Sequence, residues 1–62
     1  MSVHEQIRAA YRASGLSQEE IAHRSGVSRK TLHNLLTGRN VELQNLMAVA
    51  QVLGVSSLQL SA

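Results

Sequence analysis

Apolar residues recur along this chain at helical spacing, in short runs separated by four glycines. Val3, Ile7, Ala10, Tyr11 and Ser14 follow one face of a predicted first helix from about Val3 to Ala13, which Gly15 ends. Ser2 with Glu5 three residues on gives that helix a capping-box start. From Leu16 to Gly38 the pattern predicts two short helices joined by a tight turn. Ser17 and Glu20 form the capping box of the first, and Ile21 and Ala22 supply its apolar contact. Gly26 stands where the chain must leave that helix sharply, since glycine enters left-handed backbone geometry without a Cβ penalty, and Val27 follows as a small core plug. Ser28 caps the next helix, whose inner side is Leu32, Leu35 and Leu36 and which Gly38 closes. Its other side carries Arg29, Lys30, His33, Asn34 and Thr37, and this concentration of hydrogen-bonding groups organises the rest of the chain.

After Gly38, Arg39-Asn40-Val41 reads as a short loop. Glu42 then occupies a cap position for which its geometry is poor and its charge favourable, because a helix start attracts an anion. A fourth helix is predicted from about Leu43 to Leu53, burying Leu46, Val49, Ala50 and Leu53 and ending at Gly54, with Val55 packing as Val27 does. Ser56 and Gln59 offer a third capping box for a last short helix with Leu58 inward. The triplet Gly-Val-Ser at 26–28 and again at 54–56 suggests one device for ending and restarting a helix. The expectation is therefore all-α, five helices in a single domain spanning 1–62, without linkers, low-complexity tracts or tandem repeats.

A chain of 62 residues must fold locally and compactly, because a domain of roughly this size buries only about 60% of its unfolded surface. It has no cysteine, proline, tryptophan or phenylalanine, so disulfide staples and thiolate zinc sites are excluded. The first residues lack the basic start and apolar core of a signal peptide, and no apolar run approaches the roughly 18 residues of a membrane span. A soluble protein retained in a reducing cytoplasm is the expectation. Net charge is +2, and its placement says more than its size. The run from Arg29 to Arg39 holds three cations and no acid, whereas Glu19 and Glu20 lie at the start of the preceding helix. That implies a local positive face. Arg8 and Arg12, four apart on the outer face of the first helix, read as solvated, with a phosphate contact as the alternative.

Residues 16 to 38 resemble the helix-turn-helix of the Cro/C1-type repressors, the XRE family, and the likeness rests on particular residues. These are Gln18 at the start of the first helix of the pair, Ala22 in its middle, Gly26-Val27-Ser28 at the turn, Leu32 on the second helix and Gly38 after it. The segment AVAQVLGVSSLQL resembles the family's last two helices, so the resemblance covers nearly the whole chain. It implies a compact five-helix, lambda-repressor-like fold, a regulator of transcription in a phage or bacterial setting, and double-stranded DNA as partner. The family's habit of reading inverted repeats adds a homodimer, formed in solution or only on DNA, with the fifth helix and the end of the fourth as first-choice interface. In many members an arginine in the first helix pairs with a glutamate two residues before the closing glycine. Here the matching positions are Tyr11 and Leu36. Exchanging a buried ion pair for an apolar contact is often neutral or stabilising, but it puts in question the backbone contact that the family's arginine supports.

In this docking mode the second helix of the pair lies in the major groove and its N-terminal residues meet base edges. Arg29 has the fork needed for guanine O6 and N7, and Asn34 the paired donor and acceptor for adenine N6 and N7. The resemblance assigns base reading to the positions of Arg29, Lys30 and Asn34, with a phosphate as the alternative for Lys30; His33 is a further candidate for a base or the sugar edge, and Ser28 and Thr31 are minor contributors. Gln18, at a helix start whose free N–H groups suit an anion, is a candidate for the DNA backbone. Thr37, Arg39 and Asn40 match positions that clamp the backbone in the family, and Thr31 is grouped with them. Each of these residues has an ordinary alternative as a solvated or capping side chain.

Catalysis finds no residues. His4, His23 and His33 make no metal-ligand spacing, and the absence of aspartate excludes a Ser-His-Asp set. His23 beside Glu19 reads as solvated. No cofactor or metal is expected. The competing hypothesis is a protein-binding adaptor or antitoxin-like module on the same fold, using an apolar strip of Met47, Val52 and Leu60.

Overall fold

The computed structural model describes residues 3–55. They form four helices, α1 (Val3–Ser14), α2 (Gln18–Ser25), α3 (Arg29–Leu36) and α4 (Leu43–Val52), with no strand among the described residues. The expected fifth helix with Leu58 and Leu60, and the cap expected from Ser2, lie outside the described residues.

Two helix ends differ from expectation for local reasons. α1 runs one residue further, to Ser14, whose hydroxyl donates to the Tyr11 carbonyl at 2.7 Å and accepts the Leu16 N–H at 3.1 Å. Ser14 thus joins the helix end to the next segment instead of packing as part of an apolar face. α4 stops at Val52, and Leu53 is its C-cap, only half-buried.

All four helices feed one core. Ile7 of α1, Ile21 of α2, Leu32 and Leu35 of α3 and Val49 of α4 are fully enclosed, with Ala22, Leu36, Leu46 and Ala50 around them. Burying each large aliphatic side chain contributes about 1.5–3 kcal/mol, and no helix here has enough of them to stand alone. Leu36 is part of the buried core and Tyr11 packs against that core, so both positions of the family's ion pair are occupied here by residues of the apolar cluster. Val27 and Val55 pack against it as expected. Val52 does too, which removes it from the exposed strip anticipated with Met47. Among the described residues, the large apolar side chains left in solvent are Leu43 and Met47, one turn apart on α4. Arg8 also departs from expectation: it is half-buried, and its Nε is enclosed without a hydrogen-bond partner, whereas Arg12 is exposed.

Candidate nucleic-acid interface

The start of α2 is built as its serine dictates. The Ser17 hydroxyl accepts the Glu20 N–H at 3.1 Å, and Gln18, half-buried, opens the helix. The Glu20 carboxylate turns along the helix to accept from Arg24 Nε at 3.0 Å, an exposed pair four residues apart worth a few tenths of a kcal/mol. α2 ends at Gly26, φ +75°, whose N–H donates to the Ala22 carbonyl at 3.0 Å, while the Ser25 hydroxyl takes the Ile21 carbonyl at 2.7 Å. The left-handed step at Gly26 turns the chain so that Val27 reaches the core and Ser28 arrives as the N-cap of α3.

At that cap the Ser28 hydroxyl accepts the Thr31 N–H at 3.0 Å and donates to Thr31 Oγ1 at 2.9 Å. α3 then divides cleanly. At ~100° per residue, Arg29, Lys30, His33, Asn34 and Thr37 share roughly 140° of its circumference, and Leu32, Leu35 and Leu36 fill a separate arc turned to the core. Arg29, Lys30, His33 and Thr37 are exposed and Asn34 is half-buried at the edge of the same face.

The far end of α3 is a Schellman motif. The Arg39 N–H donates to the Asn34 carbonyl at 2.8 Å and the Gly38 N–H to the Leu35 carbonyl at 3.3 Å, with Gly38 at φ +89°. α4 closes the same way through Val55 to Ala50 and Gly54 to Gln51, so the repeated Gly-Val-Ser triplet follows two different endings: a single bond at Gly26 and a double one at Gly54. The Thr37 hydroxyl donates back to the carbonyls of His33 and Asn34 at 3.0 and 3.1 Å. Arg39 and Asn40 follow, both exposed. Glu42 caps α4 without a side-chain bond to the helix, its carboxylate accepting from Gln44 Nε2 at 3.0 Å instead.

The predicted residues therefore fall into three groups. Arg29, Lys30, His33 and Asn34 share one polar face of α3, and Arg39 and Asn40 follow its C-terminal turn, exposed. Ser28, Thr31 and Thr37 lie on or beside that face with their hydroxyls already serving the helix ends; Thr37 has one hydroxyl hydrogen, so donating it to a phosphate means releasing a carbonyl. Gln18 stands apart, on α2, sharing its first turn with Glu19 and Glu20. One further contact had no signal in the sequence: His4 Nδ1 of α1 lies 3.0 Å from the Leu35 carbonyl at the end of α3. Among the described residues no cluster of His, Cys, Asp or Glu could hold a metal ion, and no helix is long and apolar enough to cross a membrane.

A capped helix, a turn on a left-handed glycine and a second helix with one buried and one open side make α2 and α3 a helix-turn-helix. A helix-turn-helix family model matches residues 7–60, and the chain belongs to that family, in its Cro/C1-type branch. An uncharacterized HTH-type transcriptional regulator, y4dJ, of Sinorhizobium fredii (strain NBRC 101917 / NGR234) is 46% identical over 50 residues. The match covers 79% of this chain and 65% of that relative, so the chain spans slightly under two thirds of its length. No solved structure matches significantly.

Proposed function

We propose that this chain is a sequence-specific regulator of transcription, most simply a repressor, that binds duplex DNA by laying α3 in the major groove. The observation that carries this is the open face of α3, where a guanidinium, an ammonium, an imidazole and an amide stand together on a helix whose opposite side is anchored in the core. The family and the relative named as a transcriptional regulator support it. Arg29 and Asn34 are five residues apart, about 7.5 Å along the helix, or roughly two base-pair steps of 3.4 Å. The two are thus spaced to meet different base pairs, Arg29 as a guanine reader and Asn34 as an adenine reader. Lys30 and His33 lie between them. Ser28 and Thr31 act chiefly through the cap that aims Arg29, and Arg39, Asn40, Thr37 and Gln18 hold the phosphates on either side, positioning without specifying. The role is one of binding, without catalysis.

A homodimer on an inverted repeat completes the reading. Two recognition helices on successive major grooves stand ~34 Å apart. The test is selection of sites from a random duplex library at one stated salt concentration. An inverted repeat with half-sites about ten base pairs apart is the expected product. A lone half-site would remove the dimer, and no enrichment by a folded chain would overturn sequence-specific binding.

A second reading, a protein-binding adaptor or antitoxin-like module, draws on Leu43 and Met47, which are 54% and 55% exposed on α4. It leaves the α3 face without a use, and the same selection decides between the two.

A further inference from the structure

His4 is the one histidine bound to another helix in the described structure, and its partner is informative. Its Nδ1 lies 3.0 Å from the Leu35 carbonyl, thirty-one residues away. A carbonyl oxygen only accepts, so Nδ1 carries the hydrogen. Leu35 stands in the last turn of α3, where carbonyls lack intrahelical partners and carry the negative end of the helix dipole. Gly38 N–H also donates to this oxygen, at the longer distance of 3.3 Å, and the Thr37 N–H is shared between it and the His33 carbonyl. The bond therefore ties the first turn of α1 to the turn of α3 from which Thr37, Arg39 and Asn40 follow. Both the neutral Nδ1–H tautomer and the imidazolium can donate, so the link holds in either charge state.

We propose that His4 is a positioning residue for the interface. It touches no base, and fixes the C-terminal turn of α3 against α1 so that Asn34 and Arg39 meet the duplex at a set angle. This rests on the DNA-binding reading above. Asparagine places an amide N–H donor where histidine has Nδ1, whereas glutamine places its donor one bond further out, at the Nε2 position.

The experiment uses the full chain in two arms. Long-range nitrogen–proton NMR on the free protein locates the ring hydrogen of neutral His4. A hydrogen on Nδ1 is expected, and a bare Nδ1 would overturn the link whatever the chain binds. Titration with the duplex enriched from the random library, and with a mixed-sequence duplex, forms the second arm. His4→Ala and His4→Gln are expected to lose roughly three- to tenfold in affinity, the range of one net hydrogen bond, while their helical circular dichroism persists; His4→Asn is expected to stay near wild type. Equal affinity in all four proteins would overturn the positioning role and leave the DNA-binding reading standing. A failure of His4→Asn to rescue would also overturn it. Absence of binding by the wild-type chain to either duplex would overturn the DNA-binding reading and the positioning role with it, even with the hydrogen on Nδ1.

Discussion

Replacing Ser28 with alanine separates two roles that sequence and structure assign to one hydroxyl. As a base contact, Ser28 would matter only on DNA. As the N-cap of α3 it accepts the Thr31 N–H at 3.0 Å in the free protein, and alanine leaves that N–H without its side-chain partner. Removing a serine cap typically costs ~1 kcal/mol. The second bond, from Ser28 to Thr31 Oγ1, is exposed and adds little. For a 62-residue domain the total stability is about 3–9 kcal/mol, so the loss is a large fraction of it. It should lower the melting temperature by about 4–8 °C, read by circular dichroism. Ser17→Ala, which removes the matching 3.1 Å cap of α2, should show a similar drop and serves as the control for a cap alone. Ser28→Asp restores an acceptor and adds a negative charge that suits the helix start but opposes a phosphate. Its melting temperature should return to the wild-type value or above while its affinity for any duplex falls. If Ser28→Ala left the melting temperature unmoved while Ser17→Ala lowered it, the assignment of Ser28 to the cap would be wrong.

The remaining predictions concern other parts of the molecule. Arg29→Ala should cost about 1–3 kcal/mol on the selected site and relax selectivity at one base pair, whereas Arg39→Ala should weaken specific and random duplexes alike and reduce the salt slope by about one; equal losses for Arg29→Ala on both duplexes would remove it as a reader. Glu42→Asp keeps the charge at the start of α4 and supplies the short acceptor that glutamate fails to place, so a gain of about 0.5–1 kcal/mol in a urea titration is expected, and no gain would show that the cap geometry there is unsuited. Leu35→Ala empties a fully enclosed site at a cost of about 2–5 kcal/mol, enough to leave much of the population unfolded at 37 °C by far-ultraviolet circular dichroism; retained cooperative melting near wild type would mean that the core closes over the gap.

What could be read from the sequence was whatever a residue settles with its near neighbours. Ser17, Ser28, Gly26 and Gly38 act on backbone groups within five positions of themselves, and Leu32, Leu35 and Leu36 share a face by helical period alone. The polar face of α3 was legible for the same reason, since it is the complement of the leucines. The contacts that escaped join distant parts of the chain or choose between competing partners. His4 finds Leu35 only because the helices pack; Arg8 is half-covered by the fold; Val52 goes inward and Leu43 outward because packing sets the rotation of α4, the most uniformly apolar of the four. Thr37 shows the second kind. Its position matched a phosphate clamp, yet its hydroxyl donates to the carbonyls three and four residues back, a bond open to any helical threonine that competes with an outside partner.

The 2.8 Å bond from the Arg39 N–H to the Asn34 carbonyl makes the molecule a calliper of fixed opening. One jaw carries an amide suited to a base and the other a guanidinium suited to a phosphate, and the hydrogen-bonded ring between them sets the spacing of the two backbones from which these side chains reach. On the DNA-binding reading proposed above, a duplex whose groove places base and phosphate at another offset meets two backbone positions that shift only together, so the adjustment falls on the exposed Arg39 side chain and on the DNA. Stiffness of the base steps under this end of α3 would then influence the choice of site, including at pairs that no side chain touches.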